Sequence, residues 1–247
     1  KKKKLLLLLF LHINHYFMHF TQELTQGTLL KRYKRFLADI KLSNGEVVTA
    51  HCPNSGSMKT CLENDAPVLL SYSSNPSRKN AFTWELIYLD GGWVCINTQH
   101  ANAVAFEAVQ AGTIPSLSDF NLVKREVTFG DSRFDLYAER GDEKWFIEVK
   151  SVTLKLNGEA SFPDSVTTRG QKHLLTLAEA KSQGYHTAML YVLMRSDVQF
   201  FRPAKEIDPV YASTLKEVAK KGVEVIVAGT TITPRGIIID REIPFEI

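Results

Sequence analysis

Cysteine is scarce: there are three in 247 residues. An odd and small number excludes a disulfide framework and fits a reducing compartment, so a cytoplasmic location is expected. The spacing of His51, Cys52 and Cys61 matches no zinc-ligand pattern, and buried thiols are expected instead. Long apolar runs are also missing. Leu5 to Leu11, behind Lys1 to Lys4, falls far short of the roughly 20 residues a membrane span needs. No small-residue cleavage site follows it in His12-Ile13-Asn14-His15-Tyr16. Residues 1–17 therefore read as an appended tail or a mis-assigned start, outside the fold, and no membrane partner is expected. Charge of one sign is lacking too. The formal net charge is +3, and it becomes −1 when the four leading lysines are set aside. Any nucleic-acid binding must then rest on local clusters. No Walker loop, dinucleotide fingerprint or internal repeat is present.

What is present divides into two patterns. Between Phe36 and Asn97 run short strand candidates: Phe36 to Leu42, Glu46 to His51, Val68 to Tyr72, Phe82 to Leu89 and Trp93 to Ile96. Ser43-Asn44-Gly45 and Asp90-Gly91-Gly92 are turns between them, and Asn-Gly between alternating runs is a strong hairpin signal. Five short strands suit a small closed barrel, of which the OB-fold is one kind. From Ala101 the period changes. Ala103 to Gln110 is helical and ends at Gly112; Leu122 to Phe129 is a strand. A hairpin follows, then a helix over Gln171 to Ser182, a strand over Tyr185 to Met194, a helix over Tyr211 to Lys221 and a strand over Val223 to Ala228. This order is that of an α/β sandwich. The expected architecture is a two-domain chain, with a small OB-like β-barrel over 18–97 followed by an α/β sandwich over 98–247.

The hairpin carries the chemistry. Trp145-Phe146-Ile147-Glu148-Val149-Lys150-Ser151-Val152 reads as a buried strand, where a charge is costly without a purpose. Glu148 and Lys150 share one side of it, because strand side chains alternate. Arg133 to Ala138 folds back beside it through the polar turn at 139–143, which brings Asp135 near Glu148. Two close carboxylates repel one another and invite a divalent cation, and hard oxygen donors suit Mg²⁺ or Mn²⁺ better than zinc. A neighbouring ammonium lowers the pKa of an attacking water or offsets charge on a phosphoryl group in flight. Asp135, Glu148 and Lys150 are thus the candidate catalytic residues. A salt bridge at the rim of a hairpin is the plainer alternative for Glu-x-Lys alone.

Asp…Glu-x-Lys on a hairpin resembles the PD-(D/E)xK, restriction-endonuclease-like superfamily. The wider wording is similar to the sugar fermentation stimulation protein A family. The residues carrying the likeness are Arg32-Tyr33-Lys34-Arg35-Phe36, His51 to Met58, Trp84-Glu85-Leu86, Ser132-Arg133-Phe134-Asp135, Glu148 to Leu154, Phe162-Pro163-Asp164 and Arg169 to Leu174. The resemblance implies an OB-like N-terminal domain, a restriction-endonuclease-like C-terminal domain and DNA binding. It also brings in Glu107, on the helix ahead of the sheet, as a further metal carboxylate. Phe134 rather than proline precedes Asp135, while the literal Pro163-Asp164 follows the Glu-x-Lys strand in the wrong order. Asp164 is therefore a loop residue of unknown role.

Candidate nucleic-acid contacts are local. Lys31, Arg32, Tyr33, Lys34 and Arg35 bring cations and a stackable ring together. Asn54 and Ser55 lie in a loop that is either a turn or a phosphate contact, with Gly56 permitting close approach. Arg169, Lys172 and His173 open the helix after the hairpin, where cations and backbone N–H groups hold phosphate. Arg78-Lys79 and Lys124-Arg125 read as solvated faces. The function expected is that of a DNA-binding, Mg²⁺-dependent phosphodiesterase. The alternative is a non-catalytic DNA-binding regulator of sugar-use genes, and a sugar-binding protein is a distant third.

Overall fold

The computed structural model describes residues 18–247, and the reading of residues 1–17 as a tail lies outside them. Two sheets dominate. The first is built from β2 (Thr25–Tyr33), β3 (Leu37–Leu42), β4 (Val47–His51), β5 (Pro67–Tyr72), β6 (Phe82–Leu89) and β7 (Gly92–Cys95). It closes into a barrel because β2 pairs with both β3 and β5, while β4 meets β6 in parallel through Ala50↔Phe82 and His51↔Thr83. That order, β2-β3-β4-β6-β5 and back to β2, is the partly open Greek-key closure of an OB-fold. Trp84, Leu29, Ile40 and Leu70 fill the barrel with Cys52 and Cys61, whose thiols are free and buried. Gly45, with φ 87°, makes the tight return from β3 to β4 that Asn44-Gly45 predicts.

One detail of the barrel differs from the sequence reading. Its first strand is β2, which lies within and before the basic cluster and was not expected. Only Leu29 of its nine residues is fully buried, and its register shifts between Leu29 and Lys31, so no clean alternation marks it. Trp93 to Ile96, expected as a barrel strand, holds β7, which pairs with β6 in the barrel sheet, and its Val94 and Ile96 lie in the barrel core. Its Cys95 N–H donates to the carbonyl of Met194, 2.9 Å away.

The second sheet has seven strands in the order β1-β16-β15-β13-β10-β9-β8. These are β1 (Met18–His19), β8 (Leu122–Phe129), β9 (Ser132–Arg140), β10 (Glu143–Val152), β13 (His186–Leu193), β15 (Glu224–Thr233) and β16 (Gly236–Glu242). Helix α1 (Gln99–Ala111) covers one face through Ala101, Val104, Ala105 and Ala108. Helices α2 (Thr168–Ser182) and α3 (Pro209–Lys220) cover the other, through residues such as Leu174, Leu177 and Leu215. The central strands β10 and β13 run parallel; β13 is apolar on both faces, as a strand sandwiched between helices must be, while β10 is apolar toward α1 and carries Glu148 and Lys150 on the other face. Besides β2, five strands were not foreseen: β1, β16 and the three-stranded β11 (Leu154–Leu156), β12 (Glu159–Phe162) and β14 (Phe201–Pro203). Met18, expected to open the barrel unit, pairs instead with Ile237 of the second sheet.

A buried ionic cluster locks the two parts together. Arg195, 1% exposed, donates its Nε and an Nη to Asp197 at 2.6 and 2.8 Å, and its other Nη to the Thr153 carbonyl at 2.8 Å. Lys155 bridges Asp197 at 2.7 Å and Asp90, in the barrel's β6–β7 turn, at 2.9 Å. A second tie is Glu85 on β6. It is 5% exposed and accepts from Ser71, Asn97 and His100 at 2.6, 2.7 and 2.8 Å, and His100 lies in the first turn of α1.

Candidate metal-dependent phosphodiesterase site

The antiparallel register of β9 and β10 pairs Leu136 with Ile147. One step on, Asp135 stands beside the Glu148 strand, and its Oδ2 accepts the Val149 N–H at 2.8 Å. Its Oδ1 accepts from Asn102 of α1 at 2.7 Å. Glu148 and Lys150 lie on the side of the sheet that faces α2. Lys150 Nζ is 2.7 Å from Glu148 Oε1 and 3.1 Å from His173 Nδ1, and His173 itself bonds to that same Oε1. Arg169 Nε approaches His173 Nε2 at 3.4 Å. One tautomer satisfies both contacts: Nδ1–H donates to Glu148 and Nε2 accepts from Arg169.

Burial sets the electrostatics. Glu148 is 2% exposed. Burial alone would raise its pKa, but the His173 hydrogen bond and the Lys150 and His173 charges outweigh it and hold the carboxyl below its usual range. Asp135 goes the other way. Burial first, then the Glu148 charge, push it up to about 6, against the opposing Val149 N–H, Lys150 and Asn102. The two neighbouring carboxyls are thus driven apart, Asp135 upward by burial and the Glu148 charge and Glu148 downward by His173 and Lys150.

The structure brings Asp135, Glu148 and Lys150 together, with His173 and Arg169 beside them. Glu107 stays apart. Its half-buried carboxyl faces Arg125 and His19, and burial raises its pKa. Among the described residues no group of three potential ligands assembles around one point. The position on α1 that reaches the hairpin belongs to Asn102, one turn and a fraction earlier than Glu107. His173, expected to meet phosphate from solvent, turns inward and holds Glu148, while Arg169 one turn earlier stays exposed. Lys172 is exposed and pairs with Asp131 at 3.0 Å.

In the barrel, Arg32 is spent internally: it donates to the carbonyls of Arg35, Asn54 and Gly56 at 3.0, 2.9 and 3.1 Å. Lys31 lies 3.5 Å from Asp39, which also accepts from Tyr33 at 2.9 Å. Lys34 and Arg35, both with positive φ, are exposed at the tip of the β2–β3 turn. The Asn54 side chain is occupied with the Ile96 carbonyl and the Gly56 N–H, whereas Ser55 is exposed. Asp164, left without a role by the sequence, accepts from Ser57 Oγ and Met58 N–H, both at 3.3 Å, and so clasps the barrel loop.

The comparisons with known proteins decide the family. Residues 30–96 match the SfsA N-terminal OB domain, and residues 99–236 match the Sugar fermentation stimulation protein RE domain. The chain belongs to the sugar fermentation stimulation protein family. A homolog of that protein from Pseudomonas entomophila is 48% identical over 92% of this chain and 98% of its own length. One from Acidithiobacillus ferrooxidans is 46% identical over 85% and 92%. The solved structure of Pyrococcus furiosus SfsA, described as in complex with Ca²⁺, covers 94% of this chain and 99% of its own with a TM-score of 0.84 at 24% identity. The family fold is thus an OB domain followed by an endonuclease-like α/β domain. No helix among the described residues is long and apolar enough to cross a membrane.

Proposed function

We propose that this chain binds DNA and hydrolyses a phosphodiester with a divalent cation, Mg²⁺ or Mn²⁺. The observation that carries it is the buried cluster of Asp135, Glu148 and Lys150 on one hairpin. Two carboxylates suit Mg²⁺, which keeps most of its waters and binds through one or two such groups plus substrate phosphate. Asp135 and Glu148 would hold the ion, which supplies Lewis acidity at the phosphoryl oxygen and a water of lowered pKa. Lys150 places an ammonium where charge develops on the phosphoryl group or where the attacking water must be oriented. His173 fixes the Glu148 carboxylate, and Asn102 together with the Val149 N–H fixes Asp135, so both ligands are preorganised. A family member of this fold solved with Ca²⁺ supports the use of a hard cation. The decisive experiment incubates pure protein with single- and double-stranded DNA and RNA in Mg²⁺, Mn²⁺ or EDTA. Tight binding without cleavage in either metal would leave a DNA-binding protein, in line with the regulator alternative.

Asp135 gives this proposal a pH signature. Its proton, held up to about pH 6, must leave before a cation binds, so affinity for Mn²⁺ should be weaker at pH 5 than at pH 7.5, with protons released on binding. Calorimetry in buffers of different ionisation enthalpy measures both. Pure Coulomb attraction elsewhere on the surface would show no such release, and Asp135→Asn would leave it unchanged.

In OB-folds, oligonucleotides meet the loop joining the first two barrel strands and the loop joining the last two. Here those loops hold Lys34 and Arg35, and Arg78 and Lys79. Arg78 and Lys79, read from sequence as a solvated face, therefore join the proposed contacts. Lys34→Ala with Arg35→Ala should weaken DNA binding across sequences and flatten its salt dependence by about 0.7–0.9 log units per lost contact. An unaltered slope would move binding to Arg169 and Lys172. Arg32→Ala should behave differently, loosening the loop at 54–56 that it ties down.

A further inference from the structure

Between barrel and sheet lies a cavity of about 230 Å³. Its walls are the loop at 54–56, Thr98 ahead of α1, Ser151 and Thr153 at the end of β10, and the segment at 161–167 leading into α2. Ser151 follows Lys150 directly on the strand. Strand side chains alternate, so Ser151 faces away from Lys150, and the cavity lies at the end of β10 where the strand meets the barrel loop.

We propose that this cavity takes one unpaired nucleobase of the bound strand, so that the bound nucleic acid is single-stranded or locally unpaired there; this rests on the nucleic-acid reading above. Size is the first argument. The volume lies below the roughly 300–1,000 Å³ of pockets that enclose drug-sized ligands, so it admits a single small group. Charge is the second. No lysine, arginine or histidine lines the cavity, and its one ionisable residue is Asp164. Phosphate is repelled there, while a base edge that donates N–H groups is not. Composition is the third: the hydroxyls of Ser55, Ser151, Thr153 and Ser165 surround the space, and Phe162 and Pro163 offer apolar surface for the ring. Ser151 Oγ is buried and has no hydrogen-bond partner within the fold. Buried hydroxyls are nearly always satisfied, and a base edge would supply the missing bond.

The walls are also fixed in advance. Arg32 holds the carbonyls of Asn54 and Gly56, and Asp164 holds Ser57 and Met58. Gly56 is required for this closure, since a Cβ there would stand 2.3 Å from Asp164 Oδ2.

The test fills the cavity from two exposed wall positions, Thr98→Trp and Ser165→Trp, and measures binding rather than cleavage. Fluorescence anisotropy compares a dT oligonucleotide with an abasic strand of equal length in Ca²⁺, and thermal melts confirm that each variant is folded. Wild type should prefer the base-bearing strand by about tenfold or more, as expected when bases are buried or stacked. Each filled variant should lose most of that preference while its salt slope stays the same. Equal affinity of wild type for both strands, or a preference undiminished in both variants, overturns the proposal. Selective binding without metal-dependent hydrolysis would remove only the nuclease, whereas no binding to either strand removes both readings.

Discussion

Lys150→Ala should lower metal-dependent cleavage by about a hundredfold to a thousandfold, the usual cost of removing one positioned charge from a developing anion. Affinity for uncleaved DNA, measured in Ca²⁺, should hardly change, because the barrel loops proposed to contact phosphate are untouched. Such a split between rate and binding identifies an interaction made chiefly in the transition state. The side chain is only 15% exposed and is held by Glu148, so its position does not depend on substrate. Loss of binding in step with loss of rate would make Lys150 a phosphate anchor and nothing more. Full activity in the variant would sink the assignment altogether.

Arg195→Ala should be among the most destabilising single changes in the chain, by about 3–5 kcal/mol, because it leaves a buried partner charge uncompensated. Asp197, 8% exposed at its side chain, would keep only Lys155. The Thr153 carbonyl would lose its donor as well. Thermal melting reads the effect directly, and a melting temperature within a degree or two of wild type would contradict it. Acid gives an independent check. Burial would raise the Asp197 pKa, but Arg195 and Lys155 overcome it and hold the group down to about 2. A depressed carboxyl stabilises the fold above its unfolded value near 3.8 and ceases to do so as pH falls towards 2. Asp197→Asn should flatten that part of the stability profile.

The parts legible in sequence were those that follow a local period or a turn with one chemical solution. The strand at 145–152, the turn at Asn44-Gly45 and the helix that ends before Gly112 are of this kind. Asp135 and Glu148 were readable as a pair because a polar turn of the right length fixes their register. Parts made by distant pairing were not. Strands β11, β12 and β14 have three or four residues each, too few to show alternation, and they exist because they pair with one another. Asn102 carries no charge to announce it and matters only because α1 crosses over the hairpin. His173 was placed on the right face beside Arg169, but helical spacing cannot say whether a face meets solvent or sheet. Arg195 looks like the polar end of a strand until Asp197 and the remote turn at Asp90 enclose it.

The short pairing of Met18–His19 with β16 has a consequence for how the chain can be taken apart. The barrel leaves the endonuclease-like sheet at one strand and returns to it through α1, so it is an insertion with both ends moored in its host. Cutting near residue 98 would not release two complete bodies. A fragment starting there would strip β16 of its neighbour and leave an unpaired edge bearing Ile237, on which a second copy could add a strand. The sheet domain is better isolated by replacing the barrel with a linker that keeps Met18–His19 beside β16 than by truncation.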